Sequence, residues 1–305
     1  MKTSDVLYVA GKHLDGLRGH SFDVIELAKP VSPEAAVNLT KIVSKLSPLV
    51  GNLLEFNTCE YLNELPDFNG LGRWHRQDPG FPDTVFRGDV TPTPGFEIKA
   101  WFPLATEITA RFKDSQKSFG QGNTFVALLA WLPESLIFGK PSIIDIVIVS
   151  GASVAKARDD HYHNPPGYIV IEPNDTAART ANLQQTNTAG YIFQGTEDEF
   201  EAAKAFVESW GAAGRIYSPD HSYQLLLAQL MANFSYRLDT NFAKIDRIRH
   251  VEIEKFKTRV HRSIVHGRSV HNWKQIFSLH GRDSVAKILS ETFGIGEGLV
   301  GSVVE

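Results

Sequence analysis

Cysteine is almost missing from this chain: Cys59 stands alone among 305 residues. That excludes an intramolecular disulfide framework and a cysteine-rich zinc module, and it fits a reducing cytoplasm. The thiol is expected to pack as a small apolar group. Long apolar runs are missing as well. The most hydrophobic stretch, Ile143-Ile144-Asp145-Ile146-Val147-Ile148-Val149, is too short and too interrupted to cross a bilayer. The opening Met1-Lys2-Thr3-Ser4-Asp5-Val6-Leu7 has no sustained apolar core of signal-peptide length. A soluble, cytoplasmic protein without membrane contact is the expectation. No GxxxxGK[ST] loop and no serine or cysteine nucleophile elbow occurs, so a nucleotide cofactor and covalent catalysis have no support. No internal repeat, heptad seam or low-complexity segment emerges.

What is present suits a globular protein of one large or two smaller domains, with 42% hydrophobic and 22% charged residues. The formal net charge of −4 conceals an uneven distribution. Between Arg237 and Lys287, twelve Lys and Arg stand against five Asp and Glu, and five histidines add to them; that region carries +7 and the rest −11. A basic C-terminal region of this kind makes an electrostatic footprint for phosphates. A set of amphipathic helices with solvated basic faces is the plainer alternative.

The chemistry is concentrated between Arg76 and Trp101. Pro82-Asp83 opens one short strand, a turn-rich Arg87-Gly88-Asp89-Val90-Thr91-Pro92-Thr93-Pro94-Gly95 follows, and Phe96-Glu97-Ile98-Lys99-Ala100-Trp101 forms a second. Alternation puts Glu97 and Lys99 on one face and Phe96, Ile98 and Ala100 on the other. A hairpin centred near Thr91 places Asp83 opposite Lys99 and diagonal to Glu97. Two carboxylates held together call for a cation, and oxygen-only ligation suits magnesium. The lysine then orients water and offsets charge at phosphorus. The alternative is a surface hairpin with an exposed Glu97–Lys99 ion pair and Asp83 as a turn residue.

Pro82-Asp83 followed by Glu97-Ile98-Lys99 resembles the PD-(D/E)XK signature, and the chain is similar to type II restriction endonucleases. The resemblance spans about residues 34–172, where a helix, a three-strand meander, a helix and a strand are expected in turn. It implies an α/β fold: a restriction-endonuclease-like core with a central mixed β-sheet flanked by helices, plus a mainly helical C-terminal region. It also implies magnesium-dependent cleavage of double-stranded DNA at a short recognition sequence. Asp83, Glu97 and Lys99 are then catalytic, Asp83 and Glu97 hold the metal, and the products carry a 5′-phosphate and a 3′-hydroxyl. Cutting both strands suggests a twofold homodimer. A repair or recombination nuclease that recognises damaged or branched DNA shares the same core, and a catalytically silent DNA-binding module is the third reading.

Ser32-Pro33-Glu34 caps a helix that Ser47-Pro48 is expected to interrupt and restart, running to about Leu65. Glu55 and Glu60 project from it. Solvent exposure is the ordinary fate of both; by resemblance, Glu55 is an accessory metal ligand. Residues 1–31 read as a mixed lead-in. After the motif, Leu104, Ile108 and Phe112 mark a helix to Ser118, whose Arg111, Lys113 and Lys117 are candidates for backbone phosphates. Thr124–Leu132 and Ile143–Val149 read as strands covered on both faces. His161 and His163, beside Asp159 and Asp160, lack a completed ligand set for zinc. Arg179, Asn182, Gln184, Gln185 and Asn187, in a polar loop between strands at 168–171 and 190–193, are candidates for reading base edges, with a plain polar loop as the alternative. Helices are expected from Glu197, over 222–237, 239–265 and 270–293. The domain reading is a core over 1–195 with the DNA-reading loop, and a basic helical region over 196–305 for DNA binding or dimerisation.

Overall fold

The computed structural model describes residues 1–77, 80–104, 108, 119, 122–163, 168–171, 190–193, 197–211, 220–234, 236–239 and 248–296. The chain divides into two compact units, one of residues 1–157 with 249–305 and one of residues 158–248. The division therefore does not fall at 195/196, because the helices after residue 250 belong to the first unit.

In the first unit, α1 (Thr3–Asp15) and α2 (Pro33–Glu64) precede β1 (Gly72–Arg76), β2 (Thr84–Gly88), β3 (Gly95–Trp101), β4 (Thr124–Pro133) and β5 (Pro141–Ser150). The five strands form one mixed sheet in the order β1-β2-β3-β4-β5. Only the β3–β4 pair is parallel. An α/β fold with a central mixed sheet flanked by helices is what the sequence leads one to expect.

Residues 1–31 are more ordered than the lead-in read from sequence. Val6, Leu7, Ala10 and Leu14 bury one stripe of α1, and the Asp5 carboxylate accepts the Lys2 amide at 2.9 Å, an acidic group where the helix dipole favours one. Apolar spacing this short is easily missed beside so many polar neighbours.

Nor does α2 break at Pro48. Ser32 caps it by accepting the Ala35 amide at 3.1 Å, and it continues through the proline to Glu64. A mid-helix proline costs about 3 kcal/mol. Val43, Ser47, Val50, Leu54, Thr58 and Leu62 bury the helix on either side of it, and at about 1.5–3 kcal/mol per buried aliphatic side chain that outweighs the cost.

Alternation along β3 assigns its two faces. Phe96 and Ile98 join Trp74, Phe86 and Phe68 with Leu54, Cys59 and Leu62 of α2 in one core that α1 also enters. Cys59 is buried there, as a small apolar group, and burial pushes its thiol up to about 11.

Glu97, Lys99 and Trp101 take the other face. There α6 (Val251–Arg262; α3, Gly151–His163, α4, Glu197–Glu208, and α5, His221–Asn233, precede it) lays Ile253, Phe256 and Val260 against the sheet. Trp101 meets Phe256 and His261 with ring centroids 5.9 and 5.5 Å apart.

The helix expected over 239–265 is described only over α6. A two-residue-strand hairpin, β9 (Ile264–Val265) and β10 (Arg268–Ser269), follows it, turning at His266 and Gly267 with positive φ of 47° and 77°. The helix expected over 270–293 is two, α7 (Val270–Leu279) and α8 (Arg282–Phe293). His280 and Gly281 separate them in extended conformation.

The second unit holds β6 (Tyr168–Ile171), β7 (Gly190–Phe193) and β8 (Tyr236–Asp239) in one antiparallel sheet. Its helices α4 (Glu197–Glu208) and α5 (His221–Asn233) share a small core of Ala203, Val207, Tyr223, Leu227 and Leu230. The helix expected to reach Arg237 stops at Asn233, where the chain turns into β8.

Candidate active site

The hairpin register sets the site. Val85 pairs with Gly95 and Thr84 with Phe96, so the hairpin is centred on Val90, not Thr91. Val90 is buried, and its amide bonds back to Gly88. One step further, Asp83 lies level with Glu97, and Lys99 is diagonal, the reverse of the expected arrangement.

Gly95 permits this close pairing, because a Cβ there would sit 2.4 Å from Pro82 Cγ and 3.0 Å from the Thr84 carbonyl. From the β1 side, the Gln77 amide bonds the Asp83 carbonyl at 2.7 Å and its side-chain amide bonds the Pro82 carbonyl at 2.8 Å. The backbone of Pro82-Asp83 is thus fixed from both sides.

Beyond Phe96, β3 has no further pairing with β2. The Asp83 carboxylate takes the place of the missing strand: Oδ2 accepts the Ile98 amide at 2.7 Å and the Lys99 ammonium at 2.9 Å. Glu97 Oε1 lies 2.8 Å from the same Nζ, and Glu97 Oε2 accepts the Asp83 amide at 3.2 Å. All three motif side chains therefore converge, and they are largely enclosed rather than set on an open surface. The exposed ion pair of the plainer alternative is not what is found.

A fourth group arrives from α2. Gly51 passes Ala100 closely, with room for a Cβ at 3.7 Å. Asn63 clamps α2 to β1 by accepting the Trp74 amide at 2.8 Å and donating to its carbonyl at 2.9 Å. Glu55, one turn on from Gly51 and on the same side, is held in this approach. Its side chain is only 15% exposed, against the expectation of solvent, and Oε2 lies 3.9 Å from Arg76 Nη2. Glu60 does remain exposed.

Burial and the nearby Asp83 and Glu97 push the Glu55 carboxyl up to about 7 against the opposing pull of Lys99 and Arg76. Burial, with Asp83 beside it, also raises Glu97, despite Lys99. Burial works against the Lys99 ammonium, but attraction and hydrogen bonds from Glu97 and Asp83 outweigh it, so its pKa is raised. Lys99 is accordingly a cation at neutral pH, shared between two carboxylates.

Arg76 and Gln77 are the contributors that sequence spacing did not single out; their roles depend on β1 ending beside Asp83. Among the described residues, no set of three or more His, Cys, Asp or Glu side chains forms a metal cage. Asp83 and Glu97 are two carboxylates, the number with which a magnesium ion commonly makes do.

Of the basic C-terminal region, the described residues on and just before α6 border two cavities of about 650 and 530 Å³. One is lined by Arg249, His250, Lys255 and Arg259, the other by Lys257, His261, Arg262 and His271, and Glu254 lines both. Part of its charge is locally matched: Lys255 pairs with Glu252 and Lys257 with Glu254, each at 2.9 Å. Arg111, Lys113 and Lys117, and Arg179, Asn182, Gln184, Gln185 and Asn187, lie outside the described residues. The side chains of His161 and His163 do too. No helix among the described residues is long and apolar enough to cross a membrane. Comparison with protein-family models, with curated proteins and with solved structures finds no match for this chain.

Proposed function

We propose that this chain is a magnesium-dependent endodeoxyribonuclease of the type II restriction kind, hydrolysing phosphodiester bonds in double-stranded DNA at a short recognition sequence. The observation that carries the reading is the convergence of Asp83, Glu97 and Lys99 at the free edge of β3. The order α2, three antiparallel strands and then β4 parallel to β3 supports it. So does α6, a helix carrying several Lys and Arg residues that packs at Trp101 on the same sheet face as Lys99.

The donor set fits magnesium. Its ligands are all oxygens, and Asp83 and Glu97 are two carboxylates held by one ammonium, a local charge that a divalent ion would offset. Asp83 and Glu97 would hold the ion; among the described residues Glu55 does not complete a three-carboxylate set with them. When bound, it polarises a phosphoryl oxygen and lowers the cost of generating hydroxide. Lys99, a fixed cation, orients the attacking water and offsets charge developing at phosphorus. Asp83 keeps Lys99 and the β3 backbone in register through its two bonds to Nζ and the Ile98 amide.

Purified protein incubated with plasmid DNA and magnesium tests this. Discrete, reproducible fragments are expected, with Lys99→Ala and Asp83→Ala abolishing cleavage while binding persists. Cleavage unchanged in either variant refutes the mechanism. Nicking confined to damaged or branched DNA assigns the site to repair or recombination, and binding without any cleavage leaves a DNA-binding module.

A further inference from the structure

The two flanks of α6 face different strands. Arg259 turns toward β5, where its Nε reaches Asp145 at 2.8 Å, and His261 turns toward β3, where its ring meets Trp101 at 5.5 Å. Each flank borders one of the two cavities: Arg259 lines the larger and His261 the smaller. In the strand order β3-β4-β5 the Asp83, Glu97 and Lys99 site lies at the β3 end, so the smaller cavity is on its side. Lys99 and Trp101, two residues apart on one face of β3, are separated by about 7 Å, and one ring contact joins Trp101 to His261. The cavity therefore opens roughly 10–15 Å from Lys99, about three or four nucleotides along a duplex strand at a rise of about 3.4 Å each.

Its lining suits an anion. Glu254 lines it too, but holds Lys257 at 2.9 Å, so those two charges cancel. Arg262 is exposed and, among the described residues, enters no ion pair. His271 approaches from α7, its ring 6.1 Å from that of His261. Ser269 caps α7 by accepting the Asn272 amide at 3.1 Å, and no acidic residue stands in the first turn of that helix. The amino end of α7 thus presents the positive end of its dipole to the cavity through Ser269 and His271. Cations in the last turn of α6 also suit that helix's own dipole. Ser269 and His271 do not serve it, because they belong to the opposite end of another helix.

We infer that the smaller cavity holds a backbone phosphate of bound DNA, a few nucleotides from the phosphate at Lys99, through Arg262, His271 and the amino end of α7. The larger cavity, on the β5 flank, takes no part. The identity of the anion rests on the nuclease reading, but the test reads affinity and requires no cleavage.

Fluorescence anisotropy of a labelled DNA duplex, titrated with the full chain in EDTA from about 0.1 to about 1 M salt, measures it. Arg262→Ala is expected to reduce the slope of log affinity against log salt by about 0.9, the counterions of one phosphate; that is a loss of about eightfold at 0.1 M that vanishes toward 1 M. Arg262→Lys is expected to keep most of the slope, since an ammonium still meets the phosphate. Arg249→Ala removes an equal charge from the larger cavity and is expected to change neither slope nor affinity. Should Arg262→Ala lose the wild-type circular dichroism spectrum, His271→Ala, at an exposed position on another helix, takes its place and is expected to weaken binding in the same direction.

Equal losses in Arg262→Ala and Arg249→Ala mean a diffuse field instead of a site, and they overturn the inference. So does an unchanged slope in a folded Arg262→Ala, even where wild type cleaves DNA and the nuclease reading stands, or a wild-type chain that binds no duplex at all. A wild type that binds without cleaving, with the slope change confined to Arg262→Ala, removes the nuclease reading and leaves the phosphate site in place. Where wild type cleaves, random ethylation of DNA phosphates locates the contact. Interference is expected within about four nucleotides of the cut and is expected to disappear in Arg262→Ala; interference that persists there overturns the assignment.

Discussion

Replacing Glu55 by Gln isolates the electrostatic load at the candidate site. The Glu55 carboxyl is pushed from its ordinary 4.5 to about 7 by burial and by Asp83 and Glu97. At about 1.4 kcal/mol per pKa unit, the full shift corresponds to about 3 kcal/mol. Solvent at the mouth of the notch screens it by roughly half, leaving about 1.5 kcal/mol. The sign follows from linkage. The folded chain binds this proton more tightly than the unfolded one, so the stabilising contribution is fully present below 4.5 and is lost as pH rises through about 7. Gln is neutral throughout and loses nothing. In EDTA, Glu55→Gln is expected to match wild type at acidic pH. At mildly alkaline pH it is expected to exceed wild type by about 1.5 kcal/mol, or about 3–6 °C in unfolding midpoint. Urea unfolding at the two pH values measures this directly. A variant destabilised equally at both refutes the assigned environment of Glu55, because a lost packing or hydrogen-bond contribution has no such pH dependence. Added magnesium is expected to narrow or reverse the alkaline difference, since a cation bound by the native carboxylates stabilises wild type more.

Two further substitutions probe what holds the site's unit together. Asp145 is buried on β5 and accepts Arg18 Nε at 2.7 Å and Arg259 Nε at 2.8 Å. Asp145→Ala leaves both guanidiniums without that acceptor. Removing one member of a fully buried pair costs about 3–5 kcal/mol, and because these arginines are roughly half exposed the loss here is expected to be about 2 kcal/mol by urea unfolding. A change under half of that would mean the bridges are solvated. Gly95→Ala is expected to displace Pro82-Asp83, since its Cβ would lie 2.4 Å from Pro82 Cγ. Cleavage is expected to fall at least tenfold, with a stability loss of about 1–2 kcal/mol. Unchanged cleavage at normal stability would show that Asp83 tolerates a shifted backbone.

How much of this was legible in the sequence depends on the range of the interaction that fixed each feature. Alternation along β3 is local, so the shared face of Glu97 and Lys99 and the opposite burial of Phe96 and Ile98 were readable from residue order alone. The cap at Ser32 and the apolar runs of β4 and β5 were readable for the same reason. Register was not. It shifted by two because Val90 is drawn into the core and Gly95 accepts the close approach of Pro82, neither of which is visible in a count of loop residues. The persistence of α2 through Pro48 was also hidden, since the local cost is offset by side chains buried on distant strands. Glu55 shows the limit most plainly: on spacing alone it is an ordinary exposed helix glutamate, like Glu60. What encloses it is Gly51 against Ala100 and the Asn63 clamp on Trp74, contacts made across the fold. The same long helix presents Ile42, Leu49 and Phe56 outward, a three-residue stripe too short to register as a heptad pattern beside the buried residues between them. A residue's chemistry was therefore readable wherever the backbone period alone decided its direction. It had to await the structure wherever packing decided which groups the direction brought together.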